Sequence, residues 1–301
     1  TTGSYKGIGV VMQQDVTTGE VKVVRCYEGA PGAKAGLLPE DVLIQVNGEN
    51  VAGMELSEVV DLVKSSEGDT AILTISREGE SDYLEIQVPL EEVNIPVVEY
   101  EMLEDNIGYI SIYEFTEQTV PQYETAFEEL QSQGMERMII DVRNNPGGLL
   151  TSVCDLLEDM LPEGLIVYTE DKEGERQEYT CDGENELDMP LVVLVNGNSA
   201  SASEIFAGAI QDYGTGTLVG TTTFGKGIVQ SLIPFTDGSA VKTTTAKYYT
   251  PSGRCIHGTG IEPDVEVELD PNITDLNEID HSQDNQLQKG IEVVKELTGE
   301  K

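Results

Sequence analysis

The feature that most constrains this chain is a buried-strand pattern that runs directly into a Ser/Ala-rich turn and a helix pattern. Leu191-Val-Val-Leu-Val195 is short and wholly apolar, which is typical of a strand buried on both faces. The turn Asn196-Gly-Asn198 follows, and residues 203–210 then place their apolar side chains on one helical face. A hydroxyl at such a turn lies where free backbone N–H groups and the helix dipole stabilise negative charge. An attacking serine needs this location, because its tetrahedral intermediate carries an oxyanion.

Serine and alanine before a helix usually form only a helix cap, so the turn alone does not establish catalysis. Lys226, which lies between two glycines, is the second candidate for a catalytic residue. Gly220-Thr-Thr-Thr-Phe-Gly-Lys-Gly227 fits the G-x-x-x-x-G-K spacing of a phosphate-binding loop. That motif requires Ser or Thr next and then a helix, whereas a strand pattern follows here, so we reject it. A Ser-His-Asp triad is weakly supported, since His257 lies in a Gly-rich turn and His281 in an acidic tail.

A Ser-Lys dyad is the third interpretation of this region. A free lysine has a pKa of about 10.4, so it must be desolvated to act as a base near neutral pH. A lysine flanked by glycines can lie deep against a backbone, and the amine can then take the serine proton. The spacing between the serine turn and Lys226, and the glycines on either side of the lysine, permit this dyad without establishing it.

Several ordered motifs together resemble the carboxyl-terminal processing (tail-specific) proteases. They are Asn198-Ser-Ala-Ser-Ala-Ser-Glu204, Phe224-Gly-Lys-Gly-Ile-Val-Gln230, Asp141-Val-Arg-Asn-Asn-Pro-Gly-Gly148, Tyr249-Thr-Pro-Ser-Gly253 and Gly258-Thr-Gly-Ile-Glu-Pro-Asp264. The resemblance implies Ser201 as nucleophile, Lys226 as base twenty-five residues later, and Gln230 as the residue that orients the lysine. It also implies an oxyanion hole formed by the amides of Gly147 and Ala202, with Gly148 nearly as good a candidate as Gly147.

Residues 1–91 form the first predicted domain, a compact β-rich unit. Short strand patterns surround a helix over 56–64, and Asn47-Gly48 is a strong hairpin signal. Gly29-Ala-Pro-Gly-Ala-Lys-Ala-Gly36 and the element order resemble a PDZ domain of the permuted bacterial type. The resemblance implies that a peptide adds as a strand, with its carboxylate on backbone amides near Lys6 to Gly9. The residues it assigns to peptide binding are Gly7, Ile8, Gly9, Val10, Val59 and Val63, and Arg77 is the candidate for coupling binding to catalysis.

Residues 92–270 form the second predicted domain and residues 271–301 an acidic, partly helical tail. Strand patterns at 107–115, 137–143, 165–169, 175–181 and 191–195 alternate with helix patterns at 121–133 and 149–160. We interpret residues 93–101 as a link and expect an amphipathic piece near 291–297 to dock on the body. Alternating strands and helices predict an α/β layer. The predicted fold class is therefore α/β (α+β) with two domains, and the resemblance implies a crotonase-like ββα protease core beside the PDZ-like domain.

Composition restricts the partners. The chain of 301 residues carries a formal net charge of −39, which argues against nucleic acid because phosphates are repelled. Its four cysteines show no C-x-x-C spacing and no H-E-x-x-H occurs, so we expect no metal and no other cofactor. No apolar run approaches the roughly 20 residues of a membrane span. No signal peptide opens the chain, and we expect one, or an anchor, upstream of residue 1.

The sequence thus predicts a serine endopeptidase that recognises protein substrates by apolar C-terminal tails. The resemblance implies a bacterial cell-envelope or secreted location, homo-oligomers formed through the chain ends, and an activating adaptor or lipoprotein partner. Two other classes remain open at this point. One is a catalytically silent PDZ scaffold that binds peptides, and the other is a crotonase-type acyl-CoA enzyme, against which the PDZ-like half argues.

Overall fold

The computed structural model of the protein describes residues 3–15, 17–235, 239–273, 276 and 279–297. The chain divides into two compact units, residues 2–96 and residues 97–301. The boundary lies five residues beyond the predicted position of 91, because strand β8 of the first unit pairs with the strand that opens the chain. No described helix is both long and apolar enough to cross a bilayer.

The first unit is a small antiparallel sheet packed on one longer helix. Its strands are β1 (Ser4–Gly7), β2 (Val10–Gln14), β3 (Val21–Cys26), β4 (Val42–Val46), β5 (Glu49–Asn50), β6 (Thr70–Ser76), β7 (Leu84–Pro89) and β8 (Glu91–Asn94). Its helices are α1 (Pro31–Ala35) and α2 (Leu56–Lys64). The main sheet has the order β2-β3-β4-β6-β7, with β5 on β4, while β1 pairs with β8. Strand β2 is therefore an edge strand.

The second unit contains a mixed six-stranded sheet and a separate antiparallel sheet. Its strands are β9 (Val98–Leu103), β10 (Ile107–Ile112), β11 (Arg137–Asp141), β12 (Gly164–Asp171), β13 (Arg176–Cys181), β14 (Leu191–Val195), β15 (Thr217–Gly220), β16 (Ile228–Pro234), β17 (Ala240–Tyr249) and β18 (Val265–Glu266). Its helices are α3 (Thr119–Ser132), α4 (Leu150–Glu158), α5 (Ala202–Tyr213) and α6 (Asn285–Glu296). The large sheet has the order β18-β15-β14-β11-β10-β9, and the second has β13-β12-β17-β16.

Two central strands determine where the functional loops meet. Strand β14 is fully buried along its length and pairs in parallel with β11 on one side and β15 on the other. The carboxyl ends of parallel strands lie at the same edge of a sheet, so the loops after β11 and β14 leave it side by side. The expectation of a wholly buried strand before the Ser/Ala turn is confirmed.

The segment over residues 93–101, predicted as a link, is instead mostly strand. It contains the end of β8 and the start of β9, which pairs antiparallel with β10 at the sheet edge. Exposed Glu99 and Glu101 interrupt its apolar pattern, and this conceals an edge strand from a reading based on hydrophobicity.

The C-terminal helix α6 is part of the second unit. Leu287, Val293 and Val294 are buried against residues of β11, β14 and β15, and Gly290 lies close to Leu194. Asp284 begins the helix by accepting hydrogen bonds from the amides of Gln286 and Leu287. The amphipathic segment near 291–297 therefore packs against the large sheet, as predicted.

A buried ion cluster joins this helix to the loop after β11. The Arg143 guanidinium lies 2.6 Å from an Asp141 carboxylate oxygen and 2.7 Å from an Asp284 oxygen, and all three side chains are almost fully buried. Tyr109 donates a hydrogen bond to Asp141 as well. Because an isolated buried charge is costly, this cluster fixes the start of the 143–148 loop against the C-terminal helix.

Candidate active site

Ser201 ends the loop after β14 and stands at the N-terminus of α5. Its backbone has φ 59° and ψ −115°, a conformation that residues other than glycine rarely adopt. Such strain persists only where surrounding contacts fix it, and it is frequent at functional sites. The side chain is only partly exposed, and the first N–H groups of α5 are next to it. The structure therefore places a serine hydroxyl at the strand-to-helix turn that the sequence predicted, and it adds that the backbone of this serine is strained.

The loops after β11 and β14 are held together by a dense set of hydrogen bonds. The Asn145 carbonyl accepts from the Ala200 amide at 3.0 Å and from the Ser203 hydroxyl at 3.0 Å. Ser199 donates to the Val142 carbonyl at 2.8 Å. The Asn145 side chain is itself buried and donates to the Ile112 carbonyl, which anchors the loop to β10. The serine turn and the 143–148 loop consequently form one rigid structure.

Gly147 lies directly against the serine. Its φ is +103°, and a Cβ placed on it would lie 2.7 Å from the Ser201 Cβ and 2.9 Å from the Ala202 nitrogen. Only a residue without a side chain allows this approach. The structure thus brings together three residues that the sequence assigned to one site, namely Gly147, Ser201 and Ala202.

The amide of Gly147 is already engaged, because it donates to the Asn145 side-chain oxygen at 2.8 Å. The neighbouring Gly148 has φ +146°, and a Cβ there would lie 2.0 Å from the Phe115 carbonyl oxygen. Among the described residues, the amides of Gly148 and Ala202 have no hydrogen-bond acceptor. In this arrangement Gly148, rather than Gly147, has the amide free for an anionic oxygen.

Glu204 is a functional residue that the sequence reasoning missed. Its side chain is completely buried. One carboxylate oxygen accepts from the Ser201 amide at 2.9 Å and the Lys226 amide at 2.8 Å. The other accepts from the Thr223 hydroxyl at 2.7 Å and the Gly225 amide at 2.6 Å. The signal was available, since a glutamate three residues after a helix-capping serine is typical of a capping box.

The Glu204 carboxylate thereby joins the two segments that carry the predicted dyad. Lys226 is partly exposed, and it is followed by strand β16 and not by a helix, which agrees with the rejection of a phosphate-binding loop. In the described part of the chain, the Lys226 ammonium has no hydrogen-bond or ion-pair partner. The Ser201 hydroxyl is 2.9 Å from the hydroxyl of Tyr248 on β17.

Gln230 and the histidines lie outside this network. Gln230 is exposed on β16, opposite Thr244 of β17, and its role of orienting Lys226 stays a prediction. His257 is exposed in the loop whose backbone packs on Gly227, and His281 contacts Glu101 at 2.5 Å. No described hydrogen bond connects either histidine to Ser201.

The predicted peptide-binding side chains of the first unit are mostly core. Ile8, Val10, Val59 and Val63 all belong to its buried hydrophobic cluster, at no more than 9% exposure. Val59 and Val63 lie on successive turns of α2 and pack into this cluster, and their role in lining the peptide pocket stays a prediction. Half-buried Met12, Leu56 and Leu62 lie at the margin of this cluster.

The backbone of the same region contains a tightly packed glycine and an edge strand. Gly9 has φ +68° and approaches Ala30 so closely that a Cβ would lie 2.3 Å from the alanine Cβ. Gly7 ends β1, and β2 offers a free edge. Arg77 forms hydrogen bonds with both oxygens of fully buried Asp41, each at 2.7 Å, and with the Gly36 carbonyl. Its coupling role stays a prediction.

Two family models match the chain. Residues 106–267 match peptidase family S41, and residues 22–77 match the PDZ domain. The first match covers more than half of the chain, and the chain therefore belongs to peptidase family S41. The predicted recognition and the predicted two-domain fold class are both confirmed.

Similar proteins agree with this family. The chain is 37% identical over 274 residues to a carboxy-terminal-processing protease of Bartonella bacilliformis, covering 89% of this chain and 62% of that protein. It is 36% identical over 272 residues to the carboxyl-terminal-processing protease of Synechocystis sp., covering 89% and 64%. It therefore spans less than two thirds of these relatives. Among solved structures, a photosystem II D1 C-terminal processing protease superposes with a TM-score of 0.55 at 33% identity, over 92% of this chain and 76% of that one.

The contact between Gly147 and the serine turn yields a matched pair of substitutions. Gly147→Ala places a methyl group against Ser201. Gly174 has a comparable positive φ of +82°, but a Cβ added there would meet no atom within 4 Å. We expect Gly174→Ala to lower the free energy of unfolding by about 1 kcal/mol, from backbone strain alone. Gly147→Ala should cost at least about 2 kcal/mol more, because overpacking adds to the strain. Chemical denaturation measures both values, and equal losses would contradict the close packing.

Proposed function

We propose that this protein is a serine endopeptidase in which Ser201 and Lys226 act as a dyad, with substrates selected by the PDZ domain at their C-terminal tails. Membership of peptidase family S41 and the names of the similar proteins support the class of activity. The observation that carries the proposal is the Glu204 carboxylate, which binds the backbone amides of Ser201 and Lys226 with one oxygen. Two segments separated by twenty-four residues of chain are thereby held beside each other at the only strained serine turn among the described residues.

The chemistry follows from the two side chains. Ser201 Oγ attacks the peptide carbonyl carbon, and its proton moves to the neutral Lys226 amine. The resulting ammonium then gives this proton to the leaving amine, and water hydrolyses the acyl-enzyme by the same steps. A lysine can act in this way without histidine, which is consistent with the lack of a hydrogen bond from Ser201 to His257 or His281 among the described residues.

The oxyanion formed by this attack requires preorganised donors. The amide of Ala202 begins α5, where the helix dipole favours negative charge. The amide of Gly148 is the second one at this site without an acceptor among the described residues. The Gly147 amide predicted from the sequence would have to release Asn145 before it could donate. We therefore propose Ala202 and Gly148 as the donors, with Gly147 providing the space for their approach.

The dyad is tested by cleavage of a denatured model protein with an apolar C-terminus. We expect Ser201→Ala and Lys226→Ala each to reduce turnover by at least about a thousandfold while the thermal unfolding midpoint stays close to that of the wild type. Wild-type turnover should rise between about pH 6 and about pH 10, since only a neutral lysine can accept the proton. Lys226→Arg is the matched control for lost charge, and it should be as inactive as the alanine variant.

Turnover retained by Lys226→Ala would contradict the dyad. An absence of cleavage together with no labelling of Ser201 by a fluorophosphonate would favour a peptide-binding scaffold without catalysis.

Recognition of C-terminal tails rests on the geometry of the first unit. The edge of β2 is free for an added strand, which is how PDZ domains bind extended peptides. Backbone amides of the Gly7 to Gly9 turn can donate hydrogen bonds to the terminal carboxylate, with Ile8 and Val10 positioning the turn from the core. Met12, Leu56 and Leu62 are the apolar side chains at the margin that could contact the last residue of the substrate.

This recognition is tested with a fluorescent peptide that ends in an apolar residue and with its C-terminal amide. The full chain carrying Ser201→Ala is used, so that the peptide stays intact. We expect the amide to bind at least about tenfold more weakly, a loss of about 1.4 kcal/mol, because the charged carboxylate no longer meets the backbone amides. Equal affinities in fluorescence anisotropy would contradict carboxylate recognition.

We also propose that the protein acts outside the cytoplasm, in the bacterial cell envelope or after secretion, as a homo-oligomer and with an activating adaptor or lipoprotein partner. The support is the resemblance of its motifs to carboxyl-terminal processing proteases.

A further inference from the structure

We propose that Tyr248 is a third catalytic residue, whose hydroxyl donates a hydrogen bond to Ser201 Oγ and stabilises that oxygen while it loses its proton. The inference rests on the proposed function, because it takes Ser201 as the nucleophile. The two hydroxyl oxygens are 2.9 Å apart, and Tyr248 is 4% exposed. Among the described residues, Tyr248 provides the side chain that hydrogen-bonds to Ser201 Oγ, the atom that attacks the substrate.

The direction of this hydrogen bond follows from the surroundings of Tyr248. A buried phenol donates its hydrogen where an acceptor is present, because an unpaired buried O–H is costly. In the described part of the chain, the acceptor within reach of the Tyr248 hydroxyl is Ser201 Oγ. Burial raises the pKa of Tyr248 by more than the hydrogen bond with Ser201 lowers it, and the nearby Glu204 carboxylate adds to the rise, so the phenol stays protonated at neutral pH. Tyr248 is therefore a donor and not a base.

Donation by Tyr248 leaves the serine competent for the dyad. A serine oxygen has two lone pairs and one hydrogen. Tyr248 occupies one lone pair, and the hydrogen remains available to Lys226. During attack the Oγ–H proton moves to the Lys226 amine and Oγ bonds to the carbonyl carbon. The π electrons of the carbonyl move to its oxygen, which becomes the oxyanion. Tyr248 keeps its own proton throughout.

The position of Tyr248 in the fold makes this contact stable. Its backbone amide donates to the carbonyl of Gly227 at 3.2 Å, and Gly227 directly follows Lys226. The neighbouring Lys247 pairs with Ile228 in the ladder between β17 and β16. Tyr248 thus binds the lysine segment through its backbone and the serine through its side chain. This connection is independent of the one made by Glu204.

The test is the rate of labelling of Ser201 by a fluorophosphonate, measured across pH with all 301 residues of the chain present, together with kcat and KM for a peptide substrate. Tyr248→Phe removes the hydroxyl and retains the ring. Tyr249→Phe makes the same change at the adjacent position, where the ring stacks on Tyr168 at 4.9 Å between centroids. Ser201→Ala establishes which labelling belongs to the nucleophile.

We expect Tyr248→Phe to lower the labelling rate and kcat by about tenfold to a hundredfold, which is less than the loss of about a hundredfold to a thousandfold on removal of a donor to the oxyanion itself. KM, the thermal unfolding midpoint and the pH at which the rate is half-maximal should be unchanged, since Tyr248 neither binds substrate nor titrates in that range. Tyr249→Phe should behave as the wild type. A purely structural role would instead alter the unfolding midpoint and KM.

Two results would overturn the assignment of Tyr248. One is labelling and turnover of folded Tyr248→Phe at the wild-type rate. The other is faster labelling, which would mean that Tyr248 restrains the serine. If the wild-type protein is not labelled at all, Ser201 is not a nucleophile, and this inference falls together with the proposed function.

Discussion

The buried Glu204 carboxylate is the interaction on which the active-site geometry depends. It accepts four hydrogen bonds, and these come from the serine turn and from the segment that carries Lys226. A carboxylate without exposed atoms is tolerated only when such donors replace its hydration. The strained backbone of Ser201 and the position of Lys226 are thus stabilised by the same charge. Tyr248 adds a second connection between these segments, from the opposite sheet.

The sheet supplies the other half of the geometry. Parallel pairing of β11 with β14 brings the 143–148 loop beside the serine turn, and Gly147 allows the two backbones to touch. Arg143 anchors the start of that loop to Asp284 at the N-terminus of α6. The C-terminal helix is therefore connected to the 143–148 loop through one buried side chain, although it is distant in sequence. Folding and the assembly of the site are closely linked in this unit.

The sequence predicted most of this architecture, because the strong signals were local. The apolar run of β14, the amphipathic helices and the ordered motifs required no knowledge of distant contacts. What it missed depended on tertiary contacts or on polar side chains. Glu99 and Glu101 concealed β9, the burial of Val59 and Val63 depends on the face of α2 that meets the sheet, and the partner of Tyr248 lies forty-seven residues away. The engagement of the Gly147 amide by Asn145 could likewise be found only in three dimensions.

The most direct test of this account is fluorophosphonate labelling of Glu204→Gln, compared with the exposed control Glu117→Gln. A glutamine has nearly the same shape, but its amide group would face two of the four donors, which should disturb the serine turn and the lysine segment together. We predict that Glu204→Gln is labelled at least about tenfold more slowly than the wild type under conditions where it remains folded, while Glu117→Gln is unaffected. Labelling of folded Glu204→Gln at the wild-type rate would contradict the claim that this carboxylate holds the nucleophile and the base together.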